Sequence, residues 1–357
     1  MKYKNAIIFT AIFTLILYNI LPYSSVFVEE VYSGGLFQYI RLIHDNTIGY
    51  MPFATVYLVA GALFFLSFSY FSYFKNKVIR YAPFWKCVSV LLFDLCVLIS
   101  IVLILFYWMW AFNYKRLSFE EKNNLAKVEI TEDWLFNEIK ITQDTLVALY
   151  GQRSLQYNHE ATEKLVRNSI AKILYSTDYE VSGKARIRQL QPKGFLLIWS
   201  TAGVYLPFVS EGHIDKGLPT LTKPFTLAHE MSHAYGIPQE STCNFTAFLA
   251  CIITENPSIR YSGWLGYFRY LLSAARRTNP ERYKAFYQKS INSMIVSDLQ
   301  LIYNTLNEYP DILPKLRYFL YDSYLKSHGV TEGMISYSRM IYLAASWKSK
   351  NGNFIID

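Results

Sequence analysis

Three long apolar segments near the start of the chain constrain its fold most strongly. They occupy residues 6–23, 52–74 and 88–112. About 20 apolar residues suffice for a helix to cross a bilayer, where each backbone polar group must be satisfied internally. The sequence therefore predicts three transmembrane helices. No small-residue cleavage site follows the first segment, so we expect an uncleaved helix rather than a signal peptide.

The composition agrees with a membrane protein. Of the 357 residues, 52% are hydrophobic and 17% are charged, whereas soluble domains are nearer a quarter charged. The net charge of +8 comes without a Lys/Arg run of the kind that binds nucleic acid, and several basic residues lie beside the apolar segments. We therefore expect the lipid bilayer as a partner and no nucleic acid.

The charged residues beside the apolar segments predict their orientation. The loop between the second and third segments contains four basic residues, Lys75, Lys77, Arg80 and Lys86. The loop after the first segment contains Arg41 against Glu29, Glu30 and Asp45. By the positive-inside rule, the N-terminus and residues 75–86 face the cytoplasm and the chain beyond the third segment lies outside it. Lys115 and Arg116 argue for the opposite orientation.

The remainder of the chain predicts a mainly helical domain. Apolar positions have helical spacing over three stretches, 132–152, 159–176 and most of 222–348. Residues 195–200 and 203–209 have the composition of strands and are expected to form a hairpin. We expect two domains: a membrane domain, residues 1–113, and a mostly helical domain with a small β-hairpin or sheet, residues 114–357.

One motif in the second domain has a recognisable chemistry. Residues His229 to His233, HEMSH, match the pattern HExxH. Residues four apart share one face of a helix, so both imidazoles can bind the same metal ion. Glu230 lies beside that face and can act as a general base. Pro224 suits the first turn of this helix and Gly236 its end. The motif predicts a zinc site; the alternative is a polar helix face with an internal Glu–His contact.

A zinc site that leaves one position open for water needs a third protein ligand. Gln239 lies where metzincins place theirs, but glutamine is a poor zinc ligand. If residues 236–238 turn the chain back, Glu240 lies in the first turn of the next helix and faces the histidines. Asn244, one turn later, can then orient a ligand histidine. This spacing resembles the gluzincin arrangement, with Asn in place of Asp. Two other residues stay open as third ligands, Glu211 and His213.

A longer string around the motif carries a family resemblance. HEMSHAYGIPQESTCNFTAFLAC, followed by YSG at residues 261–263, resembles a bacterial membrane family called domain of unknown function 3810. The usual form of that family is close to HELAHQxGxxxEDEANFxAYLAC, with YSG after it. Further agreement is found at residues 32–35, 110–114, 324–326 and 336–337. The resemblance implies three N-terminal spans and an uncharacterised zinc-peptidase-like domain, so we expect residues 114–357 to be zincin-like. The first acidic residue of the family's EDE sequence corresponds to Glu240. If the family's metal ligand were instead the second glutamate of that sequence, this chain would lack that ligand, because Thr242 replaces it.

These features predict a zinc metallopeptidase in the bacterial cytoplasmic membrane, with its site outside the cytoplasm and a peptide or protein as substrate. Zinc bound by His229, His233 and Glu240 would activate water, Glu230 would move the proton, and Tyr261 is the candidate oxyanion donor. The alternative is a proteolytically inactive relative, zinc-binding or metal-free, that serves as a membrane scaffold or sensor. A transporter is disfavoured because the spans lack evident paired charges.

Overall fold

A computed structural model describes residues 2–22, 25–328 and 339–354. Within these ranges the fold is mainly helical with one small sheet, as predicted. The helices are α1 Lys2–Ile20, α2 Phe37–Asp45, α3 Val56–Phe74, α4 Phe84–Met109, α5 Phe119–Lys122, α6 Glu132–Tyr150, α7 His159–Ser176, α8 Lys223–Ala234, α9 Glu240–Ile252, α10 Pro257–Thr278, α11 Pro280–Ser290, α12 Ser293–Asn307, α13 Pro314–Ser327 and α14 Met340–Asn351. Residues 336–337 of the family resemblance lie outside the described residues.

Three N-terminal helices have the length and composition needed to cross a membrane. They are Lys2–Ile20, Val56–Ile79 and Phe84–Met109, which confirms the three predicted apolar helices. At the ends that face away from the C-terminal domain they are joined by polar contacts. Asp94 on α4 accepts hydrogen bonds from Lys4 on α1 and from Tyr70 on α3. No local pattern in the sequence pairs Lys4 with Asp94. These contacts give Asp94 a role in packing the three helices together.

The sheet differs from the predicted hairpin. Its strands are β1 Ile187–Leu190, β2 Gly203–Leu206 and β3 Glu211–Asp215, in the order β1-β3-β2. β1 is parallel to β3 and β2 is antiparallel to it. The predicted strand 195–200 is wrong, because the buried Asp215 carboxylate accepts the amides of Gly194 and Leu196 and holds this stretch in a loop with a short 3-10 turn. β2 instead forms its hairpin with β3.

The two helices of the motif region lie at the centre of the C-terminal core. α9 is buried from Glu240 to Cys251, and α8 packs against β3, α7, α9 and α10. The same hydrophobic core includes Trp110 and Phe112, which directly follow the third span. Packing is therefore continuous from the end of the third apolar helix to the helices that carry the motif.

The helices that support this core begin where the sequence predicts. α6 and α7 confirm the helical stretches 132–152 and 159–176, and their first turns are capped by the side chains of Thr131 and Asn158. Such caps satisfy backbone amides that have no partner inside the helix. Ser118 and Glu121 form a reciprocal capping box at the start of α5.

Candidate metal centre

A tight turn at Gly236 brings α9 back against α8. Gly236 has φ +90°, in the left-handed region that favours glycine, and an added Cβ would lie 2.7 Å from the Phe37 ring. The Gly236 carbonyl accepts a hydrogen bond from Arg116, which anchors the turn to the segment after the third span. α9 then begins at Glu240, so the glutamate lies in a first turn that faces α8.

Three side chains from α8 and α9 converge on one point. Glu240 Oε2 lies 3.1 Å from His229 Nε2 and 3.4 Å from His233 Nε2. The candidate ligand atoms of the three residues all lie within 4.8 Å of one another. Each side chain is about nine-tenths buried, with 12%, 11% and 6% exposed for His229, His233 and Glu240. A shared cation can therefore be bound by all three.

The other ring nitrogen of each histidine is already engaged. His229 Nδ1 donates to Asn244 Oδ1, and His233 Nδ1 donates to the Ile237 carbonyl, both at 2.8 Å. A neutral imidazole that donates through Nδ1 has its lone pair on Nε2. These partners therefore orient both Nε2 lone pairs toward Glu240, in the way that partners of metal-binding histidines do.

The donor set fits a divalent metal ion. Glu240 Oε2 is buried and has no hydrogen-bond partner among the described residues. Two lone pairs that face a carboxylate repel it unless a cation or a proton lies between them. In the absence of a metal, burial works to raise the pKa of Glu240, but the adjacent His233 and His229 hold it well below its ordinary value. Two nitrogens and one oxygen suit zinc and other first-row divalent ions.

Glu230 lies beside this cluster and faces the sheet. An added Cβ at Gly203 on β2 would lie 2.6 Å from Glu230 Oε1, so only glycine leaves room for the carboxylate. Burial raises the pKa of Glu230 to about 7, an effect that the neighbouring histidines reduce. Its Oε2 has no hydrogen-bond partner in the part of the chain that the structure describes. The carboxylate can accept or release a proton near neutral pH.

Cys243 adds a contact behind His233. Its thiol lies 3.3 Å from His233 Nδ1 and 3.3 Å from the Ile237 carbonyl, and burial raises the thiol pKa to about 11. A neutral thiol is a weak hydrogen-bonding group, so Cys243 fills space beside the imidazole and is not a nucleophile here.

The structure places the remaining candidates elsewhere. Tyr261 donates its hydroxyl to Asp298 Oδ2 at 2.6 Å, and Asp298 is paired with Arg153. This corrects the expectation of Tyr261 as an oxyanion donor, because its hydroxyl is committed to a structural ion pair. Glu211 accepts from the backbone amide and hydroxyl of Thr55, and the cluster that could hold a metal does not include it or His213.

Tyr321 on α13 is a residue of the site that the sequence did not reveal. Its hydroxyl donates to Glu240 Oε1 at 2.8 Å, which leaves Oε2 directed at the histidines. The two residues are 81 positions apart, and the chain contains 30 tyrosines. No local pattern singles out one tyrosine at that distance, so only the contact that α13 makes with α9 in the fold identifies it.

Comparison with known proteins gives a family and no activity. Neither the curated proteins nor the solved structures give a match to this chain. Residues 32–345 match a family whose description is protein of unknown function. The match covers most of the chain, including the metal-site residues and all but the first of the three apolar helices. The chain therefore belongs to the DUF3810 family.

Proposed function

We propose that this protein is a membrane-anchored zinc metallopeptidase. The observation that carries the proposal is the convergence of His229 Nε2, His233 Nε2 and Glu240 Oε2, with the Glu230 carboxylate beside them. This is the chemistry that HExxH sites supply for peptide hydrolysis: three metal ligands and a nearby base that does not bind the metal.

In this proposal the residues of the chain have separate roles. Zinc, when bound, polarises a scissile carbonyl group and lowers the pKa of the attacking water. Glu230 accepts the proton of that water and later delivers it to the leaving amine. Asn244 fixes the ring orientation of His229. Tyr321 holds one oxygen of Glu240 so that the other faces the histidines.

The sheet offers a place for an extended substrate. β2 lies at one edge, since the strand order is β1-β3-β2. Gly203, the first residue of β2, lies against Glu230. A peptide that adds to the outer edge of β2 by main-chain hydrogen bonds would pass close to the general base.

The orientation proposed for the membrane places the site outside the cytoplasm of a bacterium. Arg116 is paired with Glu29 inside the fold, and Lys115 lies over the ring of Tyr18. Because both side chains are buried against protein groups, these two basic residues give little information about the orientation in the membrane. The basic residues in the loop between α3 and α4 support the proposed orientation.

The proposal is tested with the full chain purified in detergent. The wild type should retain close to one zinc per chain by elemental analysis and hydrolyse members of a mixed peptide library. Glu230→Gln should bind the same zinc but lose about 10²- to 10⁴-fold in turnover, since that is the usual contribution of a general base. Glu255→Gln, an exposed position two residues before α10, is the matched control.

Two results would count against a peptidase. Equal hydrolysis by Glu230→Gln and the wild type would mean that another protein or group is responsible for the activity. Bound zinc without hydrolysis of any peptide in the wild type would favour the inactive scaffold or sensor.

A further inference from the structure

The metal centre lies close to the end of the third apolar helix. Trp110 directly follows α4, and its ring packs edge-on against that of His233, with 6.1 Å between ring centroids. Trp110 also packs against Tyr205 on β2, at 4.8 Å. Trp110 therefore lies between the end of the third span and two parts of the site, the candidate ligand His233 and the strand β2.

Helix α13 lies beside the ends of α4 and α1 that face the C-terminal domain. Tyr324, near its C-terminal end, packs against Phe106 of α4, and His328, which follows the helix, packs against Tyr18 of α1. At its N-terminal end, Ile312 donates a backbone hydrogen bond to Ile198, at 2.8 Å.

The loop that contains Ile198 lies at the start of the second span. In this loop Leu196 packs with Ala54 and Val56, which begin α3. One end of α13 is thus fixed beside the ends of α1 and α4, and the other end beside the start of α3. A helix held in this way lies along the surface of the bilayer that the three spans cross.

The outward side of the N-terminal half of α13 is apolar, and Ser323 and Ser327 continue the same side toward the C-terminus. Leu316, Phe319 and Leu320 are 51%, 66% and 58% exposed, and their spacing places them on one face. The opposite face carries Tyr321 and Leu325, which turn inward. A helix with one exposed apolar face, lying at the ends of membrane spans, has the features of a helix that inserts that face into the lipid interface.

A cavity of about 320 Å³ lies between α13 and the loop that precedes β2. Its lining is mostly apolar and includes Trp199, Leu316, Leu320 and Tyr321. Tyr321 lines the cavity and also donates its hydroxyl to Glu240, so one side chain connects the cavity to the metal centre.

We infer that the substrates are membrane-anchored polypeptides, cleaved in the segment that emerges from the bilayer. The outer face of α13 is seated in the lipid interface, and the adjoining cavity accepts an apolar residue beside the scissile bond. A polypeptide held in the same bilayer reaches a site at this level without leaving the membrane. The inference about substrates rests on the proposed peptidase function; the seating of α13 does not.

The seating of α13 is tested without any assay of hydrolysis. Leu320→Cys carries a nitroxide label, and the full chain is reconstituted in vesicles of phosphatidylcholine and phosphatidylglycerol. The control is Ala285→Cys, at an exposed position on α11, and labelled wild type gives the background from native cysteines. The label at 320 should be more accessible to oxygen than to a nickel chelate, with the reverse at 285. Equal accessibility to the chelate at both positions would overturn the seating.

The substrate class is tested with one peptide sequence in two forms, soluble and fused to a transmembrane anchor, both offered to the zinc-loaded chain in vesicles. The anchored form should be cleaved about tenfold faster or more, because confinement to the bilayer raises its effective concentration at the site. Phe319→Glu, on the outward face and outside the cavity lining, should slow cleavage of the anchored form alone, whereas Ala285→Glu should change neither rate.

The outcomes separate the two proposals. Equal rates for the two forms would overturn the substrate class and leave the peptidase intact. If neither form were cleaved, the peptidase and its substrate class would both fail, and the label depths would still decide whether α13 is seated in lipid.

Discussion

Replacing Asn244 with Ala should weaken zinc binding about 10- to 100-fold. Asn244 Oδ1 accepts from His229 Nδ1 at 2.8 Å, and Asn244 is only 2% exposed, so water does not readily replace it. A buried donor left without a partner costs about 1–3 kcal/mol. At about 1.4 kcal/mol per factor of ten, this is a loss of roughly 5- to 150-fold in affinity. Groups that orient metal-binding histidines contribute 10- to 100-fold, which lies within that range.

The affinity is measured by competition with a chelator of known zinc affinity, using the full chain in detergent. Ser241→Ala, on the same helix, is the matched control and should bind zinc like the wild type. Asn244→Asp keeps an acceptor at the same position, so its affinity should equal or exceed that of the wild type. Unchanged affinity in a folded Asn244→Ala would refute the reasoning, because His229 would then not be a ligand oriented by this residue.

Three other outcomes are expected. Gly203→Ala places a methyl group against Glu230 and should reduce hydrolysis about 100-fold while zinc content stays constant, measured as turnover per bound zinc. Gly236→Ala places an alanine in the left-handed backbone region and its methyl group against Phe37, so the free energy of unfolding should fall by at least about 1–2 kcal/mol, measured as a lower thermal midpoint. Gly151→Ala is the control, because its methyl group would meet no atom within 4 Å and should leave the midpoint unchanged. Burial opposes ionisation of Glu29, but Arg116 and Lys122 lower its pKa below the ordinary 4.5. The ionised carboxylate therefore contributes its full stability above pH 4.5, and this contribution is lost as the pH falls through the lowered pKa of the folded state. Glu29→Gln should reduce this dependence of the thermal midpoint on acid pH.

The sequence predicted the elements that depend on local pattern. Long apolar runs identify α1, α3 and α4 because only a continuous helix satisfies the backbone in lipid. Gly236 predicts the turn because glycine readily adopts the left-handed backbone found there. Apolar spacing and capping residues predict α6 and α7. The strand predicted at 195–200 does not form, although its composition is strand-like. The Asp215 carboxylate, 15 residues further along the chain, accepts hydrogen bonds from the loop amides and holds them out of the sheet.

The candidate site divides in the same way. His229, Glu230 and His233 share one turn of one helix, and Glu240 and Asn244 follow a glycine turn, so their proximity is encoded within 16 consecutive residues. Tyr321, Gly203 and Trp110 reach the same centre from distant parts of the chain, and Tyr261 turns instead to Asp298. The sequence by itself determined the helical motif and the three apolar helices, because helix periodicity and apolar length are local properties. Only the tertiary structure decided which side chains surround the centre and that it lies beside the end of the third apolar helix, because those contacts depend on how α13, the sheet and the ends of the apolar helices pack together.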